Sequence, residues 1–174
     1  MNLPQALLSH RTLVIEGVDG IPRNGLIAQL AHHGFPVQHL PDRLHHVDPT
    51  RPYRELLATP GRMALDGSII HELVYGPLHR GHSRVTWIQA LDFAESVAER
   101  DGALIHLTAS VSCLRPAPSD STEAADAYAR AMRTLAQHVA VVSLDAADLT
   151  HLPRPGTPAH RELGRNQQQL TVRW

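Results

Sequence analysis

The residues with the most chemical promise stand between a short apolar run and an amphipathic stretch. Thr12 to Glu16 ends at Gly17, and Val18-Asp-Gly-Ile-Pro-Arg-Asn24 follows before Leu26, Ile27, Leu30 and Ala31 recur at helical spacing. A glycine-bearing turn between a buried strand and a helix can close its backbone N–H groups around phosphate oxygens, and the helix N-terminus adds partial positive charge. In the pattern G-x-x-x-x-G-K-[ST] a lysine then neutralises the β/γ-phosphates and a hydroxyl holds magnesium. Here Gly17 matches the first glycine, while Pro22, Arg23 and Asn24 stand where the second glycine, the lysine and the Ser/Thr would be. Pro22 also removes an N–H that would point at phosphate. The phosphate-loop candidates are therefore Gly17, Asp19, Gly20, Arg23 and Asn24, against the plainer reading of a strand–turn–helix connection that binds nothing. Glu16 and Asp19 have the chemistry of acid/base or magnesium groups; the simpler reading of Glu16 is a strand-end residue hydrogen-bonded to the loop.

Other reactive side chains carry less. The thirteen histidines include the adjacent pairs His32-His33 and His45-His46, and His79 and His82 three apart. Adjacent side chains point different ways on a helix or strand, so such pairs rarely chelate together. There is no H-E-x-x-H and only one cysteine, Cys113, so no metal is expected and most histidines read as exposed polar residues. All sixteen basic residues are arginines, which excludes Schiff-base chemistry through a lysine. Trp87 and Tyr128 lie on apolar helix faces and read as core.

The elements that would position these residues alternate. Strands are expected at 12–16, 35–40, 62–65, 103–107 and 139–144. Helices are expected at 24–33, at 68–75 with Gly76-Pro77 as its stop, at 83–100, and at 122–138 with Thr122 as N-cap. Residues 41–61 hold four prolines and read as a loop with one helical turn near Tyr53 to Leu57. Alternation of this kind argues for an α/β fold, a parallel sheet with helices on both faces and strand 12–16 near its centre. Residues 1–150 form one domain on this reading. Residues 151–174, with three prolines and a Gln-Gln-Gln run, form an extension.

Two segments resemble thymidylate and deoxynucleoside kinases. Val14-Ile-Glu-Gly-Val-Asp-Gly20 is similar to that family's x-I-E-G-x-D-G opening. Leu65-Asp-Gly-Ser-Ile-Ile-His-Glu-Leu-Val-Tyr-Gly-Pro-Leu-His-Arg-Gly81 is similar, without a gap from Asp66 to Arg80, to its D-R-x-x-x-S-E-x-V-Y-G-P-x-x-R-G segment. The resemblance spans roughly residues 11–149 and implies a three-layer P-loop nucleotide-kinase-like fold with a five-stranded, mostly parallel sheet. It also implies that Asp66 and Arg23 stand at the reacting phosphates, and that Glu72, Tyr75 and Arg80 border the acceptor side of a cleft. The departures gather on the donor side. Gly67 replaces an arginine, and Ser112 to Ser121, where a lid should lie, offers only Arg115. Loss of one transition-state arginine can cost on the order of 10³–10⁵ in rate.

The sequence therefore points to a degenerate nucleotide-kinase-like protein that binds a nucleoside or nucleotide without efficient phosphoryl transfer. In that role it could serve a partner protein or a second copy of itself. Two alternatives stand beside it: an active atypical kinase using Arg23 for the lysine, which alone would require ATP and magnesium, and a subunit that binds no nucleotide. A formal net charge of −1 gives no broad basic field for nucleic acid or a membrane surface. With no apolar run near 18 residues and no convincing leader, the cytosol is the default compartment.

Overall fold

Five short runs build one sheet, and the central ones are buried on both faces, as strands inside a parallel sheet are. In the computed structural model, which describes residues 2–39, 48–109 and 120–149, they form β1 (Thr12–Gly17), β2 (Val37–His39), β3 (Met63–Asp66), β4 (Gly102–Thr108) and β5 (Ala140–Asp145). All neighbours pair in parallel, in the order β2-β3-β1-β4-β5, so β1 is central. Every residue of β1 is buried. The register sets Ile15 beside Asp66 and Gly17 beside Leu107, which brings the C-terminal ends of β1, β3 and β4 to one edge.

The connecting helices are α1 (Leu3–Ser9), α2 (Asn24–His32), α3 (Arg51–Leu57), α4 (Ile69–Arg80), α5 (Trp87–Glu99), α6 (Ser121–Leu135) and α7 (Ala146–Leu149). The expected α/β architecture and the central place of strand 12–16 hold. The short α1 was not anticipated, although its signals are local: the Asn2 side chain accepts from the Gln5 N–H, and Gln5 answers with a bond from the Asn2 N–H.

Three boundaries differ from expectation. Helix α4 does not stop at Gly76-Pro77 but runs on to Arg80, ending at Gly81 in the left-handed region with φ 75°. Pro77 deprives the Leu73 carbonyl of its helical donor, yet packing holds the helix together through it. Helix α5 starts at Trp87 rather than Ser83, because Thr86 and Gln89 form the capping box there. Asp120, not Thr122, precedes α6, and it makes no side-chain capping bond. One core assignment is also corrected: Tyr128 is fully buried, but Trp87 is 45% exposed at the first position of α5. Residues 110–119, with Cys113, Arg115 and the expected lid, and residues 151–174 lie outside the described residues. Among the described residues no helix is long and apolar enough to cross a membrane.

Candidate functional site

At the C-terminal ends of β1 and β3, where ligands of open α/β sheets bind, a cavity of about 710 Å³ opens. Its walls come from six places. The turn after β1 gives Asp19 and Arg23, the end of β2 gives His39, α3 gives Tyr53, β3 and its following turn give Asp66 to Ser68, α4 gives His71, Glu72, Tyr75, His79 and Arg80, and the segment after α4 gives His82 and Arg84. The sequence-selected residues Asp19, Arg23, Asp66, Glu72, Tyr75 and Arg80 are thus brought to one cavity. Gly17 reaches it through Arg23, while Gly20 and Asn24 are not among its lining residues.

Two amides of the turn after β1 and its arginine are engaged within the protein. Val18 and Ile21 are each 5% exposed, so the turn carries its own small apolar plug. The Asp19 N–H donates to the Tyr75 hydroxyl at 2.9 Å, the Ile21 N–H donates to the Val18 carbonyl at 3.4 Å, and Pro22 has no N–H. The Arg23 guanidinium is engaged as well. It donates to the Gly17 carbonyl at 2.9 Å and to Asp66 at 3.1 Å. Burial alone would lower the pKa of Arg23, but the charge of Glu16 and the bond to Asp66 hold its proton more firmly than usual.

Glu16 lies behind this turn with 1% exposure. One carboxyl oxygen accepts from the Tyr128 hydroxyl at 3.3 Å, and the other is buried without a hydrogen bond. Burial pushes its pKa up; Ser68, Arg23, His71 and Tyr128 only partly offset this. The simple reading of Glu16 as bonded to the loop is therefore corrected: its hydrogen bond goes to α6.

The opposite wall centres on Glu72. It accepts from the Arg84 N–H at 2.9 Å and from the Arg80 side chain, and the Arg84 Nε lies 3.7 Å away. Burial would raise the Glu72 pKa, but the Arg84 N–H and the two guanidinium groups outweigh it and the pKa falls. Tyr75 is 3% exposed, so it is a wall and a strut rather than an open platform. Its ring lies 4.6 Å from that of His71 and 5.2 Å from that of His79, at helical spacings of four.

Sequence reasoning missed the histidines here. His39 meets Asp66 at 3.0 Å, His71 meets Asp19 at 3.3 Å, and His79 meets Asp120 at 2.9 Å. Hydrogen bonding to His71 lowers the Asp19 pKa; burial opposes the charge on His71, but Asp19 prevails and raises its pKa. The spacing 71, 75, 79, 82 on and beyond one helix was the available signal. Among the described residues no group of three or more His, Cys, Asp or Glu side chains is placed to hold a metal ion.

Topology and site edge together define a P-loop nucleotide-kinase-like fold. A solved structure shares it: the crystal structure of the YorR protein from Bacillus subtilis, in complex with phosphorylated GDP, matches with a TM-score of 0.65 over 78% of this chain and 86% of that one, at 16% identity. No family model and no curated protein matches the sequence.

Proposed function

We propose that this chain is a degenerate, thymidylate-kinase-like protein that binds a nucleoside or nucleotide in the 710 Å³ cavity without efficient phosphoryl transfer. The observation that carries this reading is how the turn after β1 uses its own donors. A phosphate cradle needs amides and a cation aimed outward. Here the Asp19 and Ile21 amides are bonded internally, Pro22 has none, and Arg23 caps the turn through Gly17 and Asp66. Asn24 opens α2 where a hydroxyl would take magnesium. These residues do not fit magnesium-ATP, and the engagement of Arg23 counts against its use as a substitute lysine. The acceptor wall keeps outward chemistry: Arg80 and Arg84 share one carboxylate, Glu72, and so bring more positive charge than it cancels. Binding of phosphorylated GDP by a protein of the same fold supports a nucleotide as ligand. The domain spans residues 1–150 in this reading, with 151–174 as an extension.

Calorimetry with magnesium-ATP is expected to give no more than millimolar binding. A dissociation constant of about a few micromolar, near −8 kcal/mol, would revive the active-kinase alternative. In a thermal-shift panel, a matching nucleoside or nucleoside monophosphate at about 100 times its dissociation constant should raise Tm by roughly 5–10 °C. Arg80→Ala should lose that shift yet fold, with a stability change of no more than about 0.5 kcal/mol, since Arg84 still serves Glu72. If Arg80→Ala unfolds the chain and no nucleoside or nucleotide stabilises the wild type, the cavity wall is a packing element and the non-binding alternative stands.

A further inference from the structure

We infer that a second cavity, between α3 and α5, is a binding site for a small organic amine. Its ammonium pairs with Asp92, and its apolar or aromatic body lies on Leu57 and Phe93. This site is separate from the nucleotide cavity and does not depend on what that cavity binds.

The cavity follows from how two helices meet. Helix α5 buries Ala90, Ala94 and Val97 in the core. Beside them Gln89, Asp92, Phe93 and Ser96 recur at spacings of three and four, which puts them on one stripe. Arg54 and Leu57, three apart on α3, line the opposite side, and a cavity of about 420 Å³ is left between the helices. That volume falls within the roughly 300–1,000 Å³ of small-molecule sites. Leu57 and Phe93, 7% and 5% exposed, supply its apolar part. The Phe93 ring in turn meets Tyr53 edge-on at 5.7 Å. Tyr53 lines the 710 Å³ cavity, so this aromatic pair stands between the two cavities.

The polar rim selects the charge of the ligand. Two carboxylates, Asp48 and Asp92, stand against one guanidinium, Arg54, for a formal charge of −1. Asp48 and Arg54 are engaged with each other, and Asp48 also accepts from the Thr50 N–H at 3.0 Å and the Thr50 hydroxyl at 2.7 Å. Those bonds from Thr50 hold the Asp48 carboxyl below the ordinary carboxylate range, so it stays charged. An anionic ligand would have to separate Arg54 from Asp48. Arg100 offers it nothing either, since its guanidinium is spent on the Thr12 hydroxyl and the Leu57 and Gly61 carbonyls.

Asp92 differs from Asp48. Its carboxylate makes no hydrogen bond or ion pair among the described residues. The Ser96 hydroxyl donates to the Asp92 main-chain carbonyl at 2.8 Å and leaves the carboxylate alone. An ammonium is the group that pairs with it. A solvent-facing ion pair by itself contributes little, so the apolar body on Leu57 and Phe93 has to supply the rest. Recognition therefore needs both parts of the ligand.

The test is an NMR titration of the backbone amides of the full chain at pH 7.0, with phenethylamine, 3-phenylpropionate and ethylamine as probes. Phenethylamine should shift amides within residues 50–57 and 89–96 and saturate with a dissociation constant on the order of 1 mM, as suits so small a ligand. Amides of residues 66–72, at the nucleotide cavity, should stay in place. The phenylpropionate has the body with the wrong charge, and ethylamine has the charge without the body. Each should bind at least about fivefold more weakly. Asp92→Asn, at an exposed position, should keep its Tm and weaken phenethylamine about threefold, the scale of a solvent-facing ion pair. Ser96→Leu should fill the cavity and abolish the shifts; if it lowers Tm, Asp92→Asn decides alone. The inference is overturned if phenethylamine gives no saturable shift up to about 10 mM, or if its shifts fall at residues 66–72 instead. It is equally overturned if either of the other probes binds as tightly, or if Asp92→Asn leaves the affinity unchanged. Each of these results leaves nucleotide binding in the larger cavity untouched.

Discussion

Replacing Gly76 with alanine is expected to lower the unfolding free energy by about 3 kcal/mol and Tm by roughly 6–12 °C. On helical propensity alone the change should help, because glycine inside a helix costs up to about 1 kcal/mol relative to alanine. Packing reverses the sign. A Cβ at Gly76 would stand 2.8 Å from the Glu72 Oε1, 2.8 Å from the Ser83 Cα and 3.0 Å from the His82 carbonyl oxygen. Two of these three are backbone atoms of the segment that crosses α4, so they cannot swing aside as a side-chain tip would. That same segment supplies the Arg84 N–H to Glu72 and the Ser83 hydroxyl to the Glu72 carbonyl. Pushing it away breaks the wall that holds Arg80 and Arg84, so ligand-induced stabilisation should fall along with Tm. Chemical denaturation of both proteins, with and without nucleotide, checks the two effects together. A Gly76→Ala variant as stable as wild type would show that the crossing is loose and that Gly76 is merely tolerated.

Gly76 also shows where sequence reading stops. A Gly-Pro pair looks like a helix stop because both residues break helices in isolation. What the sequence does not display is the crossing segment 82–83, which needs a missing side chain at that spot and lets α4 continue. The strands were legible because burial on both faces leaves unbroken apolar runs, as in Leu13 to Ile15 and Ala103 to Ile105. On the cavity wall, Asp19 and Arg23 were legible from the strand–turn–helix pattern, whereas Asp66, Glu72, Tyr75 and Arg80 were named only by the resemblance. The histidine partners were not legible, since His39 and Asp66 meet across two adjacent strands and His79 and Asp120 across two helices. Such pairs depend on register, which no local pattern displays. Trp87 failed for a related reason: the capping box places it on the first turn of α5, before that helix reaches the core.

Substituting Glu16 by glutamine is expected to stabilise the protein at pH 8 by about 1–3 kcal/mol, the scale of an imperfectly satisfied buried polar group. Glu16 is 1% exposed, one of its oxygens has no hydrogen bond, and burial lifts its pKa above the ordinary 4.5. The sign follows from linkage. In the unfolded chain the carboxyl loses its proton near pH 4.5, whereas in the folded chain it holds the proton to higher pH. Its contribution is therefore fully present below pH 4.5 and is lost as pH rises through the folded value. Glutamine keeps the shape and the bond to Tyr128 but never ionises. The gap between variant and wild type should thus be widest at pH 8 and narrow toward pH 4.5. The opposing effect is Arg23, whose charge favours ionised Glu16. Arg23 is already bonded to Asp66 and to the Gly17 carbonyl, so it faces Glu16 without a direct hydrogen bond, and burial outweighs it. Urea denaturation of both proteins at pH 4.5 and pH 8 decides between the two. A Glu16→Gln variant less stable than wild type at pH 8 would mean that the buried charge is held by Arg23 after all. The turn after β1 would then be an ion-paired core carrying a real cation toward the cavity, and the case for a self-occupied phosphate loop would weaken with it.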